Sequence, residues 1–216
     1  MVRRAIGGHW GLAPKLGKMV ADNKIIAYDF PQGVTAHMFR DAAAHKPGTL
    51  THVGLGTFVD PRLMGGKLNE LTRQQEDLVE LMEIGGKEYL FYKNQPVNFA
   101  IISGTYADED GNISMEHLGV KAEALVVAQA CKNSGGTVVA QVERVVASGS
   151  LDPQKVEVPG ILVDAVVVVS DMKNHMQTFG TQYNPASPAS TVWALRSSRR
   201  PPCPRKRSLP AVRRWN

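Results

Sequence analysis

The stretch VKAEALVVAQACKNSGGTVVAQVERVV, Val120–Val146, decides the fold class. Its first half is rich in Ala and Val on one face, which predicts a helix over Val120–Asn133. Gly135-Gly136 ends that helix, because glycine adopts the left-handed turn that a helix terminus asks for. The second half, Gly136–Val146, is dominated by β-branched residues and predicts a buried strand. A helix, a glycine break and an apolar strand in immediate succession make one α/β unit.

The same alternation extends to both sides. Lys24–Tyr28, Val97–Ser103 and Ile161–Val169 are further short apolar runs bounded by Gly, Pro or polar residues. Continuous Val/Ile runs suit parallel strands covered on both faces. Leu12–Asp22 and Val34–His45 have helical length, the second closed by Lys46-Pro47-Gly48. The expectation is an α/β fold, a mostly parallel sheet with flanking helices and no internal repeat. Two loops interrupt it. Gly54–Asn69 is too long and too rich in glycine for a tight turn, and Ala107–Ser114 carries the Asp110-Gly111-Asn112 turn signal.

Composition narrows the function classes. The chain has 216 residues, 43% of them hydrophobic, enough for one domain or one and a half with a sizeable core. The net charge of +5 is unevenly distributed. Residues 1–186 hold 17 basic and 20 acidic side chains, whereas residues 187–216 hold seven Arg, one Lys and no acid. Cys131 and Cys203 are the two cysteines, too few for a disulfide framework or a zinc pattern. No run reaches the roughly 20 apolar residues of a membrane span, and the N-terminus lacks the apolar segment of a signal peptide. A soluble protein of the cytoplasm is expected, without a membrane partner.

Few chemical motifs stand out. Gly54-Leu55-Gly56 invites an anion-loop reading. Val59 stands where a dinucleotide fingerprint has its third glycine, and the Lys-Ser/Thr of a P-loop is absent, so a structural turn is the favoured reading of the residues alone. His9, His37, His45, His52, His117 and His175 show no zinc spacing and are expected at the surface or packed against helices. Cys131 falls on an apolar helix face and is expected in the core. Glu76, Asp77, Glu80 and Glu83 read as an exposed helical face. Asp108-Glu109-Asp110 lacks the later ligands of a calcium loop and reads as turn chemistry.

Longer strings carry more. GGHWGLAPKLGKMVADNKIIAYDFPQGV (Gly7–Val34), HKPGTLTHVGLGTFVDPRLMGGKLNELT (His45–Thr72), EYLFY (Glu88–Tyr92), GTYADEDGNIS (Gly104–Ser114), KNSGGTVVAQVERVV (Lys132–Val146) and LDPQKVEVPGILVDAVVVV (Leu151–Val169) together resemble the family I CoA-transferases. The likeness is to the single-chain propionate/acetate type and runs from about Gly8 to Ala186.

The resemblance implies two related α/β domains and a glutamate nucleophile that passes through a glutamyl-CoA thioester. Coenzyme A is then a substrate, and no cofactor is expected. The partners implied are acyl-CoA, short-chain carboxylates and further copies of the same chain. Gly54, Gly56, Thr57 and Phe58, with Gln32 and Gly33 of the PQG turn, become candidate walls of the acyl and carboxylate pocket. No stretch matches the family's catalytic glutamate segment, and Glu143 lies in a string of the first-domain kind. No catalytic residue is therefore assigned, and the chain alone is expected to be inactive.

Residues 1–186 are accordingly expected to form a partial N-terminal domain whose leading strands would lie upstream. After Tyr183-Asn184-Pro185-Ala186 the family continues with a Ser-Gly-Glu string. Codons for Ser187–Val192 read one nucleotide out of phase can encode it, so residues 187–216 are expected to be a frameshifted, disordered tail. Two other readings stay open. One is a nucleic-acid-binding arm built on the clustered Arg with Trp193 and Trp215 as stackers; the other is a non-catalytic subunit of a split transferase, against which the GTFVDPR and HKPG strings count.

Overall fold

The computed structural model describes residues 2–185. The basic segment 187–216, including Cys203, Trp193 and Trp215, lies outside the described residues. Within them the fold is mixed α/β, with parallel sheets and flanking helices.

Strand β1 (Arg4–Gly7) pairs in parallel with β2 (Ile26–Asp29), Gly7 standing opposite Asp29. Helix α1 (Pro14–Ala21) makes the crossover, with Pro14 at its first position, where a missing N–H costs nothing. Asn23 closes it at φ +56°, which delays the start of β2 to Ile26 rather than Lys24. Helix α2 (Gln32–Ala43) follows β2 directly and ends at His45 in the left-handed region.

Strand β3 (Gly48–Thr51) joins an antiparallel sheet of order β3-β5-β4, formed with the hairpin β4 (Val79–Ile84) and β5 (Lys87–Lys93). A single-turn helix, α3 (Glu70–Arg73), precedes it. The hairpin turns at Gly85-Gly86, with φ of +61° and +73°, the pair of positive values a two-residue type I′ turn requires. Glu80 and Glu83 sit on β4, which overturns the expected helical face. Val79 and Tyr92, paired across β4 and β5, are both buried, and backbone pairing with β5 along the whole of Val79–Ile84 makes this segment a strand rather than a helix. Tyr28, Phe30, Val34, Met38, Val59, Leu78, Leu90 and Tyr92 form this core, Phe30 meeting Tyr92 edge-on at 5.3 Å.

Strands β6 (Phe99–Ser103), β9 (Thr137–Val142) and β12 (Ala165–Val168) form a parallel sheet of order β12-β9-β6. Helix α4 (Ala124–Asn133) covers one face and buries Ala128 and Cys131 against Ala100, Val138 and Ala140. It starts at Ala124, later than Val120, because Ala122 has φ +45°. Cys131 is core, as expected; its Sγ donates to the Thr137 carbonyl at 3.3 Å, and burial pushes the thiol up. The expectation of cover on both faces fails here: Phe99, Ile101 and Val167 stand exposed.

The predicted strand Gly136–Val146 is two strands. The chain leaves β9 at Glu143, and β10 (Arg144–Val146) joins a separate sheet with β7 (Tyr106–Asp108), β8 (Ile113–Ser114) and β11 (Val156–Val158). Asp108 organises the turn between β7 and β8. Although burial raises its carboxyl, hydrogen bonds from Asn112, Asp110 and Gly111 hold it below the usual carboxylate range.

Candidate functional site

The carboxyl ends of β1 and β2 lie side by side, the position at which open parallel sheets form ligand crevices. From β2 the chain runs through Phe30-Pro31 into α2, so the helix begins at this end. Its first N–H groups, those of Gln32 and Gly33, have no carbonyl partner within the helix, and the positive end of the helix dipole coincides with them. Gly8, just after β1, presses against this turn. A Cβ there would fall 2.7 Å from the Phe30 carbonyl oxygen and 2.9 Å from both the N and Oε1 of Gln32. Only glycine allows that approach.

Two residues line the same end. The Trp10 indole Nε1 donates to Asp29 Oδ1 at 3.2 Å. Burial raises the Asp29 carboxyl, opposed by the Trp10 hydrogen bond and by His9 nearby.

The long loop 54–66 is tied to this end by Gly66. Its N–H donates to the Phe58 carbonyl at 3.0 Å, and the Asp29 N–H donates to its carbonyl at 2.8 Å. Within the loop, Asp60 is the organiser. It is 1% exposed and accepts from the Gly56 N–H at 2.9 Å, the Arg62 N–H at 3.0 Å and the Arg62 guanidinium through both oxygens. The Arg62 side chain holds the Asp60 carboxyl far below the usual carboxylate range, against the opposite push of burial. Arg62 also reaches Glu88 on β5 at 2.9 Å, and Tyr92 donates to the Val53 carbonyl at 2.8 Å. The loop is therefore tied to β5 at Val53 and at Arg62.

The sequence-predicted residues fall into two groups. Gln32 and Gly33 stand together at the start of α2. Phe58 connects to them only through Gly66 and Asp29, and no hydrogen bond joins Gln32 or Gly33 to residues 54–58 among the described residues. Backbone donors of the loop are partly engaged: Gly56 N–H by Asp60, and Thr57 N–H by the Gly54 carbonyl at 3.1 Å. The N–H groups of Gly54 and Phe58 have no such partner among the described residues. Gly54 and Gly56 have φ of +104° and +70°, so their glycine identity has a conformational reason as well.

Sequence reasoning missed Gly8, Asp60 with Arg62, and Tyr92. Gly7-Gly8 after an apolar run, and an acid separated from an Arg by one Pro in Asp60-Pro61-Arg62, were the available signals. It also placed every histidine at the surface or against a helix. His117 instead stacks on Tyr183, with centroids 4.1 Å apart, and bonds through Nδ1 to Glu143 at 2.9 Å; His175 is buried beside β9. No group of three or more His, Cys, Asp or Glu is placed to hold a metal ion among the described residues. No helix among them is long and apolar enough to cross a membrane.

Known proteins are similar to this chain in sequence and fold. Residues 1–169 match the family described as Coenzyme A transferase. The chain is 48% identical over 186 residues to the caffeate CoA-transferase of Acetobacterium woodii, covering 86% of this chain and 35% of that protein. It is 47% identical over 171 residues to the acetate CoA-transferase YdiF of Escherichia coli strain K12, covering 79% and 32% respectively. The crystal structure of an Escherichia coli O157:H7 YdiF thioester complex with CoA matches with a TM-score of 0.81 at 44% identity, over 88% of this chain and 37% of that one. The chain thus spans about a third of the length of the curated relatives it matches.

Proposed function

The chain belongs to the coenzyme A transferase family, and on that premise we propose that it forms part of an enzyme moving CoA between short-chain acyl groups. In this reading it is part of the first of two α/β domains. A glutamate carboxylate attacks the acyl-CoA thioester, expels the CoA thiolate and becomes an acyl-glutamyl anhydride. The thiolate then adds to the glutamyl carbonyl, releasing the first carboxylate and leaving a glutamyl-CoA thioester, from which a second carboxylate collects the CoA. Each addition develops negative charge on an oxygen, and donors fixed in advance stabilise it.

We assign that stabilising and positioning part to Gln32 and Gly33 and to Gly54, Gly56, Thr57 and Phe58. The packing of Gly8 on Gln32 carries the reading. It holds an amide side chain and the N–H end of a helix at the open end of two parallel strands, where a carboxylate or a developing oxyanion is favoured. Asp60 supports the assignment from the other side by fixing the shape of the glycine loop. None of these residues is the nucleophile, and by itself the chain does not turn over. The preference for acetyl and propionyl groups follows the resemblance, as do a homo-oligomeric assembly and a cytoplasmic setting.

A chimera tests the reading. This chain replaces the matching third of the Escherichia coli acetate CoA-transferase, and acetyl-CoA:propionate exchange is measured. The expected result is exchange by the chimera, lowered in its Gln32→Ala form by about the hundredfold that one well-placed donor supplies. A folded chimera without exchange, or one indifferent to Gln32, overturns it.

A further inference from the structure

A cavity of about 350 Å³ opens beside β8 and β11, a volume within the range of small-molecule sites. The two strands pair antiparallel, with Val156 opposite Ser114. The chain leaving β8 through Glu116 and His117 and the turn entering β11 through Lys155 therefore stand side by side, and both line the cavity. Tyr183, stacked on His117, lines it too.

His117 is held in one orientation. Its N–H donates to Thr105 Oγ1 at 2.8 Å, and the Glu143 N–H donates to the Thr105 carbonyl at 2.9 Å, so one buried threonine places both residues. His117 Nδ1 stands 2.9 Å and 3.0 Å from the two Glu143 carboxylate oxygens. A carboxylate only accepts, so the neutral imidazole carries its proton on Nδ1 and presents a lone pair at Nε2. Nε2 has no partner among the described residues and is not sealed from water; the side chain is 24% exposed.

Glu116 stands next to it without a donor. The residue is half-buried, and neither oxygen accepts a hydrogen bond or joins an ion pair among the described residues. Oε2 is turned inward, whereas Oε1 stays accessible. A charge partly withdrawn from water with nothing in water's place is unfavourable, and a cation entering the cavity relieves it. The other charges of the lining leave Glu116 unserved. Lys121 is paired with Glu157, and Lys155 is exposed with no ion pair among the described residues. Behind His117, the Glu143 carboxylate adds negative charge. One free carboxylate, one imidazole lone pair and an aromatic ring describe an occupant that is cationic and donates hydrogen bonds.

We propose that this cavity binds a small organic ammonium ion, its N–H groups donating to Glu116 Oε1 and His117 Nε2 and its charge resting against the Tyr183 ring. The proposal concerns binding by this chain and does not rest on the transfer reading.

The test is a titration of the 216-residue chain at pH 8, with isotope-labelled histidine rings, against propylammonium, propanol and propionate. The expected result is a saturable movement of the His117 ring signal by propylammonium in the millimolar range, a weaker response to propanol and none to propionate. Glu116→Gln keeps the size and breaks no hydrogen bond among the described residues; it is expected to weaken propylammonium binding about tenfold without lowering the melting temperature. Lys155→Met removes a like charge from an exposed position and is expected to strengthen binding about twofold. His117→Gln serves to assign the ring signal, and should it fail to fold, the two other variants still decide. No saturation, an equal response to propanol or propionate, unchanged affinity in Glu116→Gln, or weaker binding in Lys155→Met overturns the proposal.

Discussion

Asp60 and Arg62, two residues apart across Pro61, face each other through two parallel hydrogen bonds, Nε to Oδ1 at 3.0 Å and Nη2 to Oδ2 at 2.7 Å. The carboxylate is buried, the guanidinium is half in water, and the same carboxylate holds the Gly56 N–H. Asp60→Asn keeps the shape and removes the charge. Hydrogen bonds to a charged group are worth about 1.5–3 kcal/mol, and the exposed guanidinium favours the lower end. Urea unfolding is expected to register a loss of about 1–2 kcal/mol at neutral pH. Because the folded carboxyl lies below its unfolded value, this stability is present above about pH 4 and disappears as pH falls. The difference between wild type and variant therefore narrows on acidification; a constant difference from pH 7 to pH 3 contradicts the assignment.

Gly8 and Gly33 flank Gln32 and make opposite predictions. Gly8→Ala drives a methyl group into the Phe30 carbonyl and the Gln32 backbone, atoms that cannot swing aside, and overpacking of this kind costs about 1–3 kcal/mol. At Gly33 a Cβ meets nothing within 4 Å, and the position is helical. Gly33→Ala is expected to stabilise the chain by about 0.5–1 kcal/mol. If Gly33 also lets a ligand approach the helix end, the same change lowers exchange by the chimera while raising its melting temperature. Gains in both would free Gly33 from any site.

Much of this was legible in the sequence, and the failures have physical causes. The helix–glycine–strand unit around Gly135 was readable because local propensity and tertiary burial agree there. The β4–β5 hairpin was not, although Gly85-Gly86 signals a type I′ turn: the acidic residues Glu80 and Glu83 suggested a solvated helix, and β4, exposed beyond Val79, is held as a strand by its non-local backbone pairing with β5. Of the candidate site, glycine positions and the PQG turn stood out because chemistry is local to them. The role of Gly8 was hidden, since its reason is a contact with Gln32, 24 positions away.

Tyr92 reports on the base of the glycine loop. Its hydroxyl donates to the Val53 carbonyl at 2.8 Å, and a Cβ on Gly54 would sit 2.5 Å from the Tyr92 hydroxyl oxygen. Burial first, and the nearby Asp60 charge second, push the phenol up to about 12. A raised phenol keeps its proton longer in the folded chain, so its contribution is intact below about pH 10 and is lost as pH rises through 12. Tyr92→Phe is expected to cost about 1 kcal/mol at neutral pH and to remove the latest-titrating phenol from an ultraviolet pH titration. Titration of every tyrosine near pH 10 in the folded wild type contradicts the burial argument.

Ile101 is 72% exposed on β6, with Phe99 on the same face and Val139 and Val167 across the sheet. Parallel strands this apolar ordinarily have both faces covered, and α4 covers one. An uncovered apolar face drives association of copies, so the purified 216-residue chain is expected to scatter light increasingly with concentration. Ile101→Lys puts a charge at the centre of that face without touching the core. Its stability is expected to stay within about 0.5 kcal/mol of wild type, while scattering falls. A large loss of stability would mean that Ile101 is packed, and unchanged scattering would mean that association runs through another surface.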